Sequence, residues 1–269
     1  MSEGKVRTYP FKEEGEEIMG RIFVTGDTHG EFDRIEKFCD RFETTKEDAI
    51  IILGDAGINY WGGRKDRNLK KRLQKLPITF ILVRGNHESR PSPKSYQYEY
   101  IARDDYSGHF MVEKDYPSLL FTIDGFRYTL NGWHTIVLGG AYSVDKYYRL
   151  EQQFLGHTGY RWFYDEQLSK EERDKIFSQL KAEKENGFPM PKVILSHTCP
   201  FRNIPRENFL PFIDQSMVDN SMEHWMDEID ELISYKKWFC GHWHINKKID
   251  KMVFLFEDVV LFDDVINEN

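Results

Sequence analysis

The residues with the greatest chemical reach in this sequence stand directly after short apolar runs. Ile22-Phe23-Val24-Thr25 leads into Gly26-Asp27-Thr28-His29, and Ile50-Ile51-Ile52-Leu53 leads into Gly54-Asp55-Ala56-Gly57. Phe80-Ile81-Leu82-Val83 leads into Arg84-Gly85-Asn86-His87-Glu88, Val193-Ile194-Leu195 into Ser196-His197, and Trp238-Phe239-Cys240 into Gly241-His242-Trp243-His244. Imidazole nitrogens, carboxylates and one amide oxygen together suit borderline divalent metals such as Zn, Fe or Mn. One ion takes three or four protein ligands. Asp27, His29, Asp55, Asn86, His197, His242 and His244 are too many donors for one ion and about right for two that share a bridge. Two ions roughly 3.5–4 Å apart clamp an in-line displacement at phosphorus. Taken singly, Asp-x-His, His-x-His and Gly-Asn-His-Glu also suit ordinary surface turns. Their joint occurrence, each at the end of an apolar run, carries the metal reading.

Such side chains need elements that aim them at one place. The apolar runs Ile22–Thr25, Ile50–Leu53, Thr79–Val83, Ile136–Leu138, Val193–Leu195, Lys237–Cys240 and Met252–Phe256 are short and rich in β-branched residues, the signature of buried strands. Helical spacing separates them: Phe32, Ile35, Phe38, Cys39 and Phe42; then Leu69–Leu76; then Asp165–Glu185 with Leu168, Ile176 and Leu180; then Met222–Ile233. Strand-helix alternation predicts an α/β architecture with largely parallel central pairing. Ligands of open α/β sheets bind beyond the carboxyl ends of the strands, where these donors lie. A Gly before the polar residue permits a sharp turn and close backbone approach. The stretch around 89–132 breaks the alternation and reads as an inserted segment within a single domain over 1–269. It holds a predicted hairpin, Leu119–Ile123 and Phe126–Leu130 about Asp124-Gly125.

Composition narrows the function classes. The chain has 269 residues, 40% hydrophobic and 30% charged, with a formal net charge of −8. An acidic balance argues against a duplex nucleic-acid surface or a polybasic membrane anchor. A small anionic substrate stays compatible, because bound cations reverse the field within one cleft. No apolar run approaches the ~20 residues of a membrane span. Met1-Ser2-Glu3-Gly4-Lys5 is charged with no apolar stretch after it, unlike a secretory signal. Cys39, Cys199 and Cys240 form an odd set without a CxxC pair, so free thiols and a cytoplasmic location are expected.

The ordered set Gly26-Asp27-x-His29, Gly54-Asp55, Gly85-Asn86-His87-Glu88, His197 and Gly241-His242-x-His244 resembles the calcineurin-like metallophosphoesterase superfamily, from about Arg21 to Ile245. The resemblance implies a four-layer αββα sandwich of two mixed β-sheets, with a dimetal site at the C-terminal edge of the strands. It implies that Asp27, His29 and His244 hold one ion and Asn86, His197 and His242 the other. Asp55 would bridge them together with a water or hydroxide that attacks phosphorus, and His87 would lie outside the metal shell near the leaving group. The cofactor expected is a pair of divalent or mixed-valence ions, Mn, Fe or Zn. The chain also departs from a branch it resembles. Ser/Thr protein phosphatases carry a second Asp and then Arg-Gly after Gly-Asp, where this chain has Ala56-Gly57-Ile58-Asn59-Tyr60-Trp61 and no Arg before Arg64.

Three function classes follow: a phosphomonoesterase on a small molecule, nucleotide or phosphoprotein; a phosphodiesterase on a cyclic nucleotide or oligonucleotide end; and a silent scaffold of the same fold. Asn86, His87 and Arg64 are the candidate phosphate contacts. Arg90, Arg149, Arg161 and Arg202 are further guanidinium groups able to meet phosphate oxygens. The aromatic stretch Tyr142, Tyr147, Tyr148, Tyr160, Trp162, Phe163 and Tyr164 either walls the cleft or packs against the sheet. His109, His134, His157 and His224 sit in no ligand-like motif.

Overall fold

A computed structural model describes residues 20–92, 98–209 and 216–268. The N-terminal stretch read above, Met1–Lys5, lies outside them. The first half contains β1 (Ile22–Thr25), α1 (Asp33–Phe42), β2 (Ala49–Ile52), α2 (Gly63–Gln74), β3 (Thr79–Leu82), β4 (Tyr98–Arg103), β5 (Gly108–Glu113), β6 (Leu119–Phe121) and β7 (Arg127–Leu130). The second contains β8 (Trp133–Leu138), α3 (Lys146–Phe154), α4 (Lys170–Glu185), β9 (Val193–Ser196), α5 (Ser221–Leu232), β10 (Lys237–Cys240), β11 (Lys247–Ile249), β12 (Met252–Phe254), β13 (Val259–Leu261) and α6 (Phe262–Asn267).

Among the described residues the strands build two mixed sheets, ordered β13-β1-β2-β3-β6-β5-β4 and β11-β12-β10-β9-β8-β7. The central pairs β1–β2, β2–β3, β8–β9 and β9–β10 are parallel, as the alternation of elements predicts. Alternate residues explain the layering. Val24, Ile51 and Ile81 point inward and meet Val137, Leu195 and Phe239 of the second sheet. Phe23, Ile50, Ile52 and Phe80 point the other way, onto Ile35, Cys39 and Leu73 of α1 and α2. On the far side Ile136, Ile194 and Trp238 pack with Leu180 of α4 and with Met222, Met226 and Ile229 of α5. Both faces of each sheet are thus covered, so the strands read as unbroken apolar runs.

The predicted hairpin about Asp124-Gly125 does not form. β6 pairs with β3 and β5 in the first sheet, whereas β7 pairs with β8 in the second. Asp124-Gly125 instead carries the chain between sheets. Asp124 Oδ2 accepts from Arg84 Nε at 3.0 Å and its Oδ1 from the Gly139 N–H at 2.6 Å. The true two-residue turn is Asn131-Gly132, with φ of 47° and 81°, joining β7 to β8. That Asn-Gly pair between apolar residues is the stronger hairpin signal of the two.

Candidate metal centre

β1, β2, β3, β9 and β10 end side by side, and the loops beyond them hold all seven predicted donors and His87. Four of these residues, His29, Asp55, His242 and His244, have φ between 45° and 65°. Left-handed backbone at a non-glycine residue costs of order 1–3 kcal/mol and gathers at functional sites. Two glycines make room for the approach. A Cβ on Gly85 would come within 2.0 Å of Asp55 Oδ1, and one on Gly54 within 2.1 Å of His197 Nδ1.

The side chains are aimed by a shell of backbone bonds. Asp27 Oδ1 accepts from the His242 N–H at 2.9 Å, and Asp55 Oδ1 accepts from the His87 N–H at 2.8 Å. His197 Nδ1 donates to the Leu53 carbonyl at 2.7 Å, which turns its Nε2 toward Asn86 Oδ1 at 2.8 Å and Asp55 Oδ1 at 3.6 Å. His29 and His244 face each other at 3.0 Å between Nε2 atoms. Asp27 Oδ2 lies 3.4 Å from His244 Nε2 and 3.7 Å from His29 Nε2, buried and without a hydrogen-bond partner among the described residues. The His242 and His197 rings are 4.9 Å apart.

These spacings suit bound cations. Donors held ~2.1 Å from one ion sit about 3.0–3.4 Å from each other in octahedral or tetrahedral geometry. Donor atoms of Asp27, His29 and His244, and of Asp27, Asp55 and His197, lie within 4.8 Å of one another and could each hold an ion. Asp27 belongs to both groups, whereas the resemblance makes Asp55 the shared ligand.

The charges also ask for a cation. Burial raises Asp55, but the His197 and His87 rings beside it outweigh burial and hold it well below the usual carboxylate range. Burial lowers His197, yet Asp55 and Asp27 overcome that and lift it to about 9. His242 is pushed down to about 3 by burial and the charge on His197. Two buried carboxylates facing His197 thus make a place where positive charge is stabilised. His87 is lowered by burial, with Asp55 opposing and Arg149 adding to the shift.

One arginine braces the site from outside. Arg34 Nη1 donates to Thr25 Oγ1 at 2.6 Å and to the Glu257 carbonyl at 2.7 Å. Its Nη2 donates to the carbonyls of Gly26, Asp27 and Phe256 at 3.2, 3.0 and 2.9 Å. Phe256 in turn stacks on His244, centroids 4.5 Å apart. Arg34→Ala strips these carbonyls of their donor, for an expected loss of about 2–4 kcal/mol, bonds from a charged donor contributing ~1.5–3 each. Thermal melts should show a midpoint about 4–10 °C lower, and calorimetric titration a Mn affinity about 10–100-fold weaker.

The centre opens into a cavity of about 970 Å³. His29, Asp55, Asn86, His87, His242 and His244 line it, with Tyr60, Trp61, Tyr142, Arg149, Phe201, Phe209, Glu223 and Trp243 among the other walls. Of the predicted arginines only Arg149 is a lining residue among the described ones. Arg64 is exposed at the start of α2 and does not line the cavity. Arg90 is paired with Glu172, Arg202 with Asp227 and Glu231, and Arg161 donates to the Tyr60 carbonyl. Of the aromatic stretch Tyr142 reaches the cavity, while Tyr147, Tyr148, Tyr160 and Tyr164 are exposed. Sequence reasoning missed Tyr60, Phe201, Phe209, Trp243 and Glu223 as walls; Trp243, between two candidate ligands, carried the clearest signal.

The family model for calcineurin-like phosphoesterases matches residues 20–246. The chain belongs to the calcineurin-like phosphoesterase family. As a phosphoesterase of this family it belongs among metal-dependent enzymes, in keeping with its two candidate ligand groups. No curated protein matches it. Among solved structures it is similar to TT1561 of Thermus thermophilus, with 16% identity over 83% of this chain and 82% of that one and a TM-score of 0.43. A second solved structure is 11% identical over 87% of this chain and 89% of its own, with a TM-score of 0.47. No helix among the described residues of the phosphoesterase is long and apolar enough to cross a membrane. Its three cysteines are free and buried.

Proposed function

We propose that this phosphoesterase is a phosphomonoesterase that holds two divalent ions, with Asp27, His29 and His244 on one, Asn86, His197 and His242 on the other, and Asp55 shared. The observation that carries the monoester reading is Arg149. Its Nε donates to both oxygens of Asp145 at 2.8 Å and its Nη1 to the Tyr60 hydroxyl at 3.0 Å, so the guanidinium is fixed in the cavity wall. Its Nη1 also donates to the Arg161 carbonyl at 3.3 Å, none of these bonds uses its Nη2, and its charge reaches His87. A monoester offers one more terminal oxygen than a diester, and a fixed guanidinium matches such oxygens.

Two divalent ions held by these residues would supply Lewis-acid charge for the phosphoryl oxygens and lower the pKa of a water. The chain's own groups do the rest. Asn86 Nδ2, which donates to Ser143 Oγ at 2.8 Å, fixes its amide toward the centre. Arg149 orients the phosphoryl group. The dianion brings negative charge beside His87, which favours its protonated form. His87 then gives its proton to the departing alkoxide as general acid.

Steady-state rates on p-nitrophenyl phosphate and bis(p-nitrophenyl) phosphate with added Mn test this reading. Arg149→Ala should lower kcat/KM for the monoester by roughly 10–10², the cost of charged hydrogen bonds, and for the diester far less. Equal losses on both, or a wild-type enzyme that cleaves the diester alone, would replace it by the phosphodiesterase reading. The size of the cavity, with room for a second ester group, is what favours that alternative. The metals are proposed to be Mn, Fe or Zn, and the free thiols favour a cytoplasmic location.

A further inference from the structure

Beyond the metal centre, Glu223 on α5 is a buried acid in the cavity wall that the proposed reaction does not use. The residue is 3% exposed and lines the cavity. Its Oε1 accepts from Thr198 Oγ1 at 2.8 Å, and Thr198 follows the candidate ligand His197. Its Oε2 is buried with no hydrogen-bond partner among the described residues. An ionised carboxylate only accepts, so the oxygen left over calls for an N–H or O–H. Leaving a buried acceptor unsatisfied is costly, and native proteins keep such groups chiefly where a ligand or water completes them.

The neighbouring walls say what kind of group brings that donor. Phe209 and Trp243 stack with centroids 5.8 Å apart and an interplanar angle of 18°, and both line the cavity. Phe201 lines it as well, one face against the His224 ring and Arg206 over it at 4.5 Å. Aromatic walls with polar side chains among them, here Arg206, Asn208 and Asn220, suit a flat ring held in register by hydrogen bonds. A phosphoryl group at the metal centre fills only a small part of about 970 Å³.

We propose that Glu223 is a specificity-determining residue of a leaving-group subsite, accepting on Oε2 an N–H donor carried by an aromatic or heteroaromatic ring of the substrate. The proposal rests on the monoester reading for which bond is cleaved, but not for how the ring is held. Burial and the charge of nearby Asp219 lift the Glu223 carboxyl to about 7. The Thr198 bond and Arg173 oppose that lift, so the acid can ionise in slightly alkaline buffer.

Matched substrates isolate the donor. The 3- and 4-aminophenyl phosphates differ from 3- and 4-tolyl phosphates by an amine in place of a methyl, with leaving groups of similar basicity. At slightly alkaline pH the wild-type enzyme should prefer at least one amino isomer over its methyl counterpart by about tenfold in kcat/KM, mostly through KM. Glu223→Gln, which keeps the shape and the Thr198 contact but can turn an N–H toward the ring, should bring that ratio close to unity. A wild-type ratio within about twofold for both isomers, or a ratio unchanged in Glu223→Gln, overturns the subsite. The wild-type ratio stands whether or not the variant folds. If the enzyme cleaves no monoester, the monoester reading fails by itself. The same four compounds are then compared as competitive inhibitors of bis(p-nitrophenyl) phosphate hydrolysis, where an amino-over-methyl preference supports the subsite and its absence overturns it.

Discussion

Asp55→Asn should abolish turnover and empty both metal positions together. The substitution keeps the side chain's size and an oxygen for the His87 N–H, now 2.8 Å from Asp55 Oδ1, so the loop keeps its bond. It removes the negative charge that His197, His87 and His29 all feel. Loss of an outer partner of a metal ligand costs about 10–100-fold in affinity, and loss of a shared ligand should exceed that at both positions. Turnover should fall by at least about 10³-fold, more than removal of a single oxyanion donor. The check is elemental analysis after Mn loading: close to two equivalents in the wild type, and well below one in the variant. A wild-type stoichiometry that stays at one, with Asp55→Asn harmless, contradicts a shared ligand.

His87→Ala should act on turnover and spare the metals. His87 comes one residue after Asn86 in the loop beyond β3, and its Nε2 meets Asn86 Nδ2 at 3.2 Å. Its Nε2 stands 3.8 Å from Asp55 Oδ2, its Nδ1 is buried without a partner among the described residues, and the ring lines the cavity. Burial lowers its pKa, so it relies on substrate charge to hold a proton. Removing a general acid costs roughly 10²–10⁴ when the leaving group is a poor one. The loss should be near that range for an alkyl phosphate and much smaller for p-nitrophenyl phosphate, whose leaving group needs little protonation. Both assays should accompany a metal count of two. An equal loss on the two esters assigns His87 to phosphate binding, and a lost metal assigns it to the metal shell.

The division of labour between sequence and tertiary structure is visible in particular residues. The strand-end motifs were legible because each is a local statement: an apolar run, a residue able to turn sharply, then a donor. Asp27, His29, Asp55, Asn86, His197, His242 and His244 could therefore be named from spacing, and parallel pairing of β1, β2 and β3 follows from the helices between them. The cavity walls were not legible in this way. Glu223 reaches the centre only through Thr198, 25 positions away in the chain, and Arg149 is set apart from Arg64, Arg90 and Arg202 only by what packs around it. The Asp124-Gly125 turn makes the same point from the backbone. Its residues determine that the chain bends, but whether β6 and β7 then pair depends on β3, β5 and β8, which offer β6 and β7 edges in two different sheets. Donor type and local turning are properties of a few consecutive residues. Which arginine faces the phosphate, which acid is left with a free oxygen, and which strand edges meet are decided by contacts between distant segments, and these exist only once the two sheets have closed on their common core.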